Sequence, residues 1–186
     1  GLGESEGDFA DTTFSSNVGD LVAAAEFMGR ELQAPKILIG HSLGGAAVLH
    51  AAARIPSAAA VATLAAPSST AHLVGMIRSS GADIEDAGEA EVEIAGRKFN
   101  IRKEFIDDLS AINMRDAVSG LGRPLLVCHS PDDRIVGIDN ATEIFAAARH
   151  PKCFVSLDSA DHLCSNPADA RYAGSMIATW ARRYAS

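Results

Sequence analysis

Ser42 stands at the centre of Gly40-His41-Ser42-Leu43-Gly44, between an apolar run, Ile37-Leu38-Ile39, and an alanine-rich stretch from Ala46 to Arg54. A Gly-x-Ser-x-Gly frame entered from a strand and left by a helix is the pattern of a nucleophile elbow, which holds its serine in a strained, exposed position. The tightness of that turn predicts that Gly40 and Gly44 stand where a side chain would collide with neighbouring backbone. A helix starting at once aims its N-terminal N–H groups and positive dipole end at any oxyanion forming beside Ser42. The Leu43 N–H is the natural first donor. A plainer reading, in which Ser42 only caps a helix, leaves the Gly44-Gly45 pair unexplained.

A serine hydroxyl is a poor nucleophile at neutral pH, so it needs a base to take its proton and a carboxylate to orient that base. Asp133 follows the apolar run 124–129, and His162 follows the run 153–157. Loops at the carboxyl ends of parallel strands converge on one crevice. Asp133 also reads as a turn residue after Pro131, and His41, His50, His72, His129 and His150 compete with His162. His41 and His129 adjoin the two loops and are expected to be structural or pocket-lining, His41 being the candidate substrate contact. Cys164 is expected to pack, and Asp161 to face solvent or support its loop.

The elements that must position these residues follow from periodicity. Val18, Leu21, Val22, Ala25 and Met28 recur at helical spacing, predicting a helix over 18–32 with Asn17 as N-cap. Pro35 breaks the chain, and 36–40 reads as a strand buried on both faces. A weaker strand signal covers 58–65, because alanine is a poor strand former. Further strands are expected at 124–129 and 153–157, each before a loop and a helix, the helices covering 140–149 and 169–184 with Pro167 at the first turn. Strands alternating with helices predict a parallel α/β sheet in one domain. Residues from about 70 to 120 interrupt the alternation and read as a cap insertion or as a peripheral excursion at the sheet edge. Within them Val92, Ile94, Phe99 and Ile101 alternate around Gly96-Arg97 as a hairpin, after which Phe105, Leu109 and Ile112 take helical spacing.

At 186 residues, with 47% hydrophobic and 22% charged residues, the chain is long enough for a real core and too apolar for extensive disorder. The net charge of -8 disfavours a phosphate-binding surface, so nucleic acid is not an expected partner. Cys128, Cys153 and Cys164 lack metal-ligand spacing and are expected to be reduced, buried thiols. Neither a metal nor a cofactor is expected. No apolar run approaches a membrane span and the first residues do not resemble a signal peptide, so the expectation is a cytoplasmic protein that does not engage membranes.

Three separated motifs carry a family resemblance. The stretch GHSLGG at 40–45, HSPDDRIVGI at 129–138 and Ala160-Asp161-His162 resemble the elbow, acid loop and histidine turn of the α/β-hydrolase superfamily. Closer still, GLGESEGDFADTTFSSNVGDL, HSPDDRIVGIDNA and ARHPKCFVSLDSADHL are similar to the hydrolase half of bifunctional proteins that carry an OsmC-like domain, a second domain not expected within these 186 residues. The resemblance implies a three-layer α/β fold with helices on both sheet faces. It implies the order Ser42, Asp133, His162, with Val136 selecting Asp133 over Asp132 because the family's acid lies three residues before a valine.

By the same resemblance the activity is hydrolysis of small carboxylic esters through an acyl-enzyme, with thioesterase, peptidase and perhydrolase chemistry as alternatives open to the same three residues. Gly1 would correspond to the glycine after the family's fourth strand, so four strands, a helix and the usual second oxyanion donor fall outside the sequence. Loss of one such donor costs on the order of a hundred- to a thousand-fold in kcat, which leaves a weakly active or inactive binding module as a further reading. Strand 36–40 would become a sheet edge, expected either to pair with a second copy or to mark a piece of a longer chain.

Overall fold

The computed structural model describes residues 4–79, 84–94 and 97–185. The family correspondence at Gly1 and the hairpin turn at Gly96 lie outside the described residues, as does the side chain of His72. In chain order the first elements are α1 (Phe14–Glu31), β1 (Ile37–His41), α2 (Leu43–Ala51), β2 (Ala60–Leu64), α3 (Ala71–Ser79) and α4 (Ile84–Ala87). They are followed by β3 (Glu89–Ile94), β4 (Arg97–Arg102), α5 (Lys103–Ala111), α6 (Met114–Ser119), β5 (Leu125–His129), α7 (Asp139–Ala147), β6 (Lys152–Ser156) and α8 (Pro167–Ala181).

The chain divides into two compact units, one made of residues up to Asn17 with Ser69–Ile112, the other of Val18–Ser68 with the residues from Asn113 onward. The second unit is built on a sheet of order β1-β2-β5-β6, all neighbours parallel. The strands expected from apolar runs are therefore present, each within two residues of its expected ends. β5 is buried throughout and β2 in all but its last residue, whereas β1, expected to be buried on both faces, is an outer strand that leaves Ile39 exposed. Alanine serves in β2 despite its poor strand propensity, because the strand lies in the sheet interior where small side chains fit under close-packed helices. The neighbouring α2 is apolar apart from His50 in its last turn, and its residues Ala46, Ala47, Val48, Leu49 and Ala51 are buried, as a helix with almost no polar face must be. Against the sheet, Ala62, Leu126, Cys128, Val155 and Leu157 form one cluster with Ala173 and Ile177 of α8. Helices thus flank the sheet in the three-layer arrangement of the α/β class.

α1 begins four residues earlier than its apolar periodicity predicts. Thr13, rather than Asn17, occupies the cap: Ser16 N–H donates to Thr13 Oγ1 at 3.0 Å and Thr13 N–H donates to Ser16 Oγ at 2.9 Å. This reciprocal pair satisfies the N–H groups of Thr13 and Ser16, which a helix start otherwise leaves open. Ser15 is held in addition by Asp108, 93 residues away, which accepts from its N–H and its hydroxyl. α8 starts as expected, with Pro167 in its first turn and Asn166 accepting from Ala168 N–H.

In the other unit β3 and β4 pair antiparallel, with Val92 opposite Phe99 and Ala90 opposite Ile101. Phe9 packs on Phe99 and Phe105 with ring centroids 5.0 and 6.2 Å apart. Val92, Ile101, Phe105, Ile106 and Leu109 are buried. This unit ends at Ile112, so α6 belongs with the sheet rather than with the interrupting segment. Of the cysteines Cys128 alone is fully buried, while Cys153 and Cys164 are half-buried and all three are free thiols. No helix among the described residues is long and apolar enough to cross a membrane.

Candidate active site

The strand-to-helix turn at Ser42 is as tight as the glycine pattern requires. Ser42 has φ 53° and ψ -128°, a left-handed conformation that a non-glycine residue adopts at a cost of about 1–3 kcal/mol. Its N–H still continues the β1–β2 ladder to Leu64 O at 2.9 Å, and its own carbonyl accepts from Gly45 N–H at 2.8 Å. The Ser42 side chain makes no capping bond to α2, so the plainer capping role is not the one it plays.

The crowding falls differently from the expectation. A Cβ on Gly40 would lie 2.2 Å from Gly44 O, and one on Gly45 would lie 2.6 Å from Ala66 Cβ, whereas one on Gly44 would meet nothing within 4 Å. The first turn of α2 folds back over Gly40, Gly45 lies against Ala66, and the α-carbon of Gly44 faces open space. Gly40 is thus sterically required as expected, and Gly45 takes the place assigned to Gly44.

Asp133 and His162 come from the carboxyl ends of β5 and β6. Asp133 Oδ1 accepts from Ile135 N–H and Val136 N–H, both at 2.9 Å, which leaves Oδ2 to face His162 Nδ1 at 2.8 Å. The carboxylate therefore organises its own turn with one oxygen and the histidine with the other, so its two possible roles coexist. Asp133 is buried and Asp132 is exposed, which separates the neighbouring carboxylates. Because a carboxylate only accepts, His162 carries its hydrogen on Nδ1 and offers Nε2 as an acceptor. That Nε2 lies 3.0 Å from Ser42 Oγ.

Two further histidines surround this chain of bonds. His129 is wholly buried, and its Nε2–H donates to Val136 O at 2.7 Å while standing 3.6 Å from Asp133 Oδ2. His41, expected to touch substrate, directs Nε2 at the carbonyl of His162, 2.7 Å away, with the two rings 5.0 Å apart. Its sequence position beside Ser42 did not reveal this contact. Asp161 accepts from Ser165 N–H at 2.7 Å through its carboxylate and so supports the histidine loop, a bond that holds its acid below the usual carboxylate range. Cys164 packs against the α8 cluster, and burial pushes its thiol up. The Leu43 N–H opens α2 and has no intrahelical acceptor, as holds for any first-turn donor. A cavity of 470 Å³ lies elsewhere, lined by Ser68, Met114, Arg115, Val118, Glu143 and Ile144 among others, and none of Ser42, Asp133 or His162 contributes to it.

The esterase domain of a Rhodothermus marinus protein superposes with a TM-score of 0.81 at 48% identity, covering 96% of this chain and 73% of that one. The chain belongs to the α/β-hydrolase superfamily. Members at lower identity share the fold. Est1E from Butyrivibrio proteoclasticus, solved with ferulic acid, matches with a TM-score of 0.77 at 19% identity over 99% of this chain and 74% of its own. Mouse α/β hydrolase domain-containing protein 10 matches with a TM-score of 0.75 at 22% identity over 98% and 75%. No family model matches the chain, and comparison with curated protein sequences gives no match. Within this α/β hydrolase, Ser42, Asp133 and His162 each occupy a loop at the carboxyl end of a parallel strand, where open α/β sheets bind their ligands.

Proposed function

We propose that this α/β hydrolase is a carboxylesterase in which Ser42 is the nucleophile, His162 the general base and Asp133 the residue that orients and stabilises the imidazolium. The observation that carries the reading is the unbroken chain from Asp133 Oδ2 through His162 to Ser42 Oγ, at 2.8 and 3.0 Å. The esterase description of the relative at 48% identity supports an ester as substrate.

In this mechanism the Ser42 hydroxyl proton passes to His162 Nε2 as Oγ bonds to the ester carbonyl carbon, and the resulting oxyanion is met by the Leu43 N–H. Collapse of the tetrahedral species breaks the bond to the alcohol, which leaves with the proton from His162. Water then attacks the acyl-enzyme, gives its proton to His162 and returns Ser42 to the hydroxyl form as the acid departs. Pre-organisation of the serine–histidine pair supplies the orientation that a free hydroxyl lacks.

Hydrolysis of p-nitrophenyl esters of increasing acyl length tests the proposal. Ser42→Ala is expected to lower kcat by roughly a million-fold if the three residues act as a unit. A loss of only a few-fold would remove Ser42 from the mechanism. Rapid labelling of Ser42 by a fluorophosphonate is expected as well, since only an activated serine reacts readily.

A further inference from the structure

We propose that His41 is a positioning residue that holds the His162 loop in register with the nucleophile; the inference rests on the esterase reading above. His162 follows β6, whereas Ser42 follows β1, and these strands are the two outer members of the order β1-β2-β5-β6. Three inter-strand spacings, about 14 Å, separate the two strands. The histidine loop must cross the ends of β5 and β2 for the imidazole to reach Ser42. Among the described residues its other backbone ties lie within itself or reach the acid loop and the end of β5, where Leu157 N–H donates to His129 O, so that only the His162 ring itself also reaches the nucleophile, through Nε2 and Ser42 Oγ. Cys164 N–H donates to Asp161 O at 3.0 Å, Ser165 N–H to Asp161 Oδ1, and Ser130 Oγ to Asp158 O at 3.0 Å.

The bond from His41 Nε2–H to the His162 carbonyl, at 2.7 Å, fastens the loop at the base itself to the residue next to the nucleophile. A carbonyl only accepts, so this geometry places the hydrogen of His41 on Nε2. The separation of base and nucleophile thus becomes a short-range distance, set across one residue of β1, instead of one accumulated across the sheet. The two tilted rings, 5.0 Å apart, add contact between side chains. A misplacement of about 1 Å at such a site can cost on the order of a hundred-fold in rate. His41 is exposed, so its replacement leaves the core intact.

The test compares two variants on a p-nitrophenyl ester, with thermal unfolding as the control for folding. His41→Phe keeps a ring against His162 and removes the donor; His41→Gln keeps an N–H donor at similar reach and removes the ring. The Phe variant is expected to lose roughly ten-fold in kcat, in keeping with one lost hydrogen bond, with KM within about two-fold. The Gln variant is expected to recover most of that loss. A rise in KM at unchanged kcat would make His41 a substrate contact and overturn the proposal. Equal kinetics in the two variants, whether both fall or neither does, would overturn the role of the bond. Should the Phe variant not fold, nitrogen-15 spectra of the unaltered protein decide: His41 protonated on Nε2 supports the bond, and protonation on Nδ1 alone excludes it. Ser42→Ala run alongside separates the two ideas. Full activity in that variant defeats the esterase reading, whereas its inactivity beside an unaffected His41→Phe defeats only the positioning role.

Discussion

At the scale of single residues, the elbow shows how one pattern contains both required and incidental positions. Gly40 has the backbone of Gly44 where its side chain would be, and Gly44 has open space. Gly40→Ala is therefore expected to cost about 3 kcal/mol or more in urea unfolding, as an overpacked site with no flexible neighbour to yield. Gly44→Ala is expected to be neutral or to stabilise α2 by up to about 1 kcal/mol, because alanine is the better helix former. Equal losses in the two would show that the turn is not arranged as described. The cysteines separate in the same way. Burial pushes the Cys128 thiol up to about 12, so at pH 8 roughly one molecule in ten thousand carries its thiolate. Iodoacetamide on the native protein is expected to leave Cys128 unmodified by peptide mass mapping, and its modification at the rate of an exposed thiol would contradict that burial.

Elements were legible wherever pattern and burial agree. Continuous apolar runs became the parallel strands, but only β2 and β5 are covered on both faces, while the edge strands β1 and β6 leave Ile39 and Phe154 exposed. The start of α1 was missed: Phe14, four residues before Val18 and buried, continues the apolar stripe, but the polar residues 15–17 between them hide it, and the Thr13–Ser16 pair and Asp108 that help hold the first turn are not written in the local pattern. Thr13→Ala is expected to cost about 1 kcal/mol, a typical cap contribution, read as a lower urea midpoint. No change would mean that the Asp108 bonds alone suffice to start the helix. Within the sheet, β2 and β5 lie between other strands, and β1 and β6 at the edges. Hydrogen exchange is expected to be slowest in β2 and β5, the pattern of core strands that open only with global unfolding. Slower exchange in β6 than in β5 would contradict this order.

At the scale of the whole molecule, protonation is expected to shape stability through a half-buried histidine. Desolvation holds His50, on α2, below its ordinary value of 6.5. As pH falls below 6.5 the unfolded chain takes up this proton before the folded one does, so the contribution of His50 disfavours the fold increasingly down to its lowered value and leaves neutral pH unaffected. His50→Gln is expected to flatten the fall in urea-unfolding stability between pH 7 and pH 5. An unchanged slope would assign that fall to other groups.

Taken alone, the sequence determined the alternation of strands and helices and the residue types at three loops, because apolar periodicity and turn chemistry are written over a few neighbouring positions. It also singled out Ser42, Asp133 and His162. The crowded glycines and the turning of His41 toward the His162 carbonyl were decided by tertiary structure, as was the alignment of His162 Nε2 on the Ser42 hydroxyl. Each depends on strand order and on the path of a loop across the sheet. Residues 120 positions apart in the chain become neighbours there, a distance that no local pattern records.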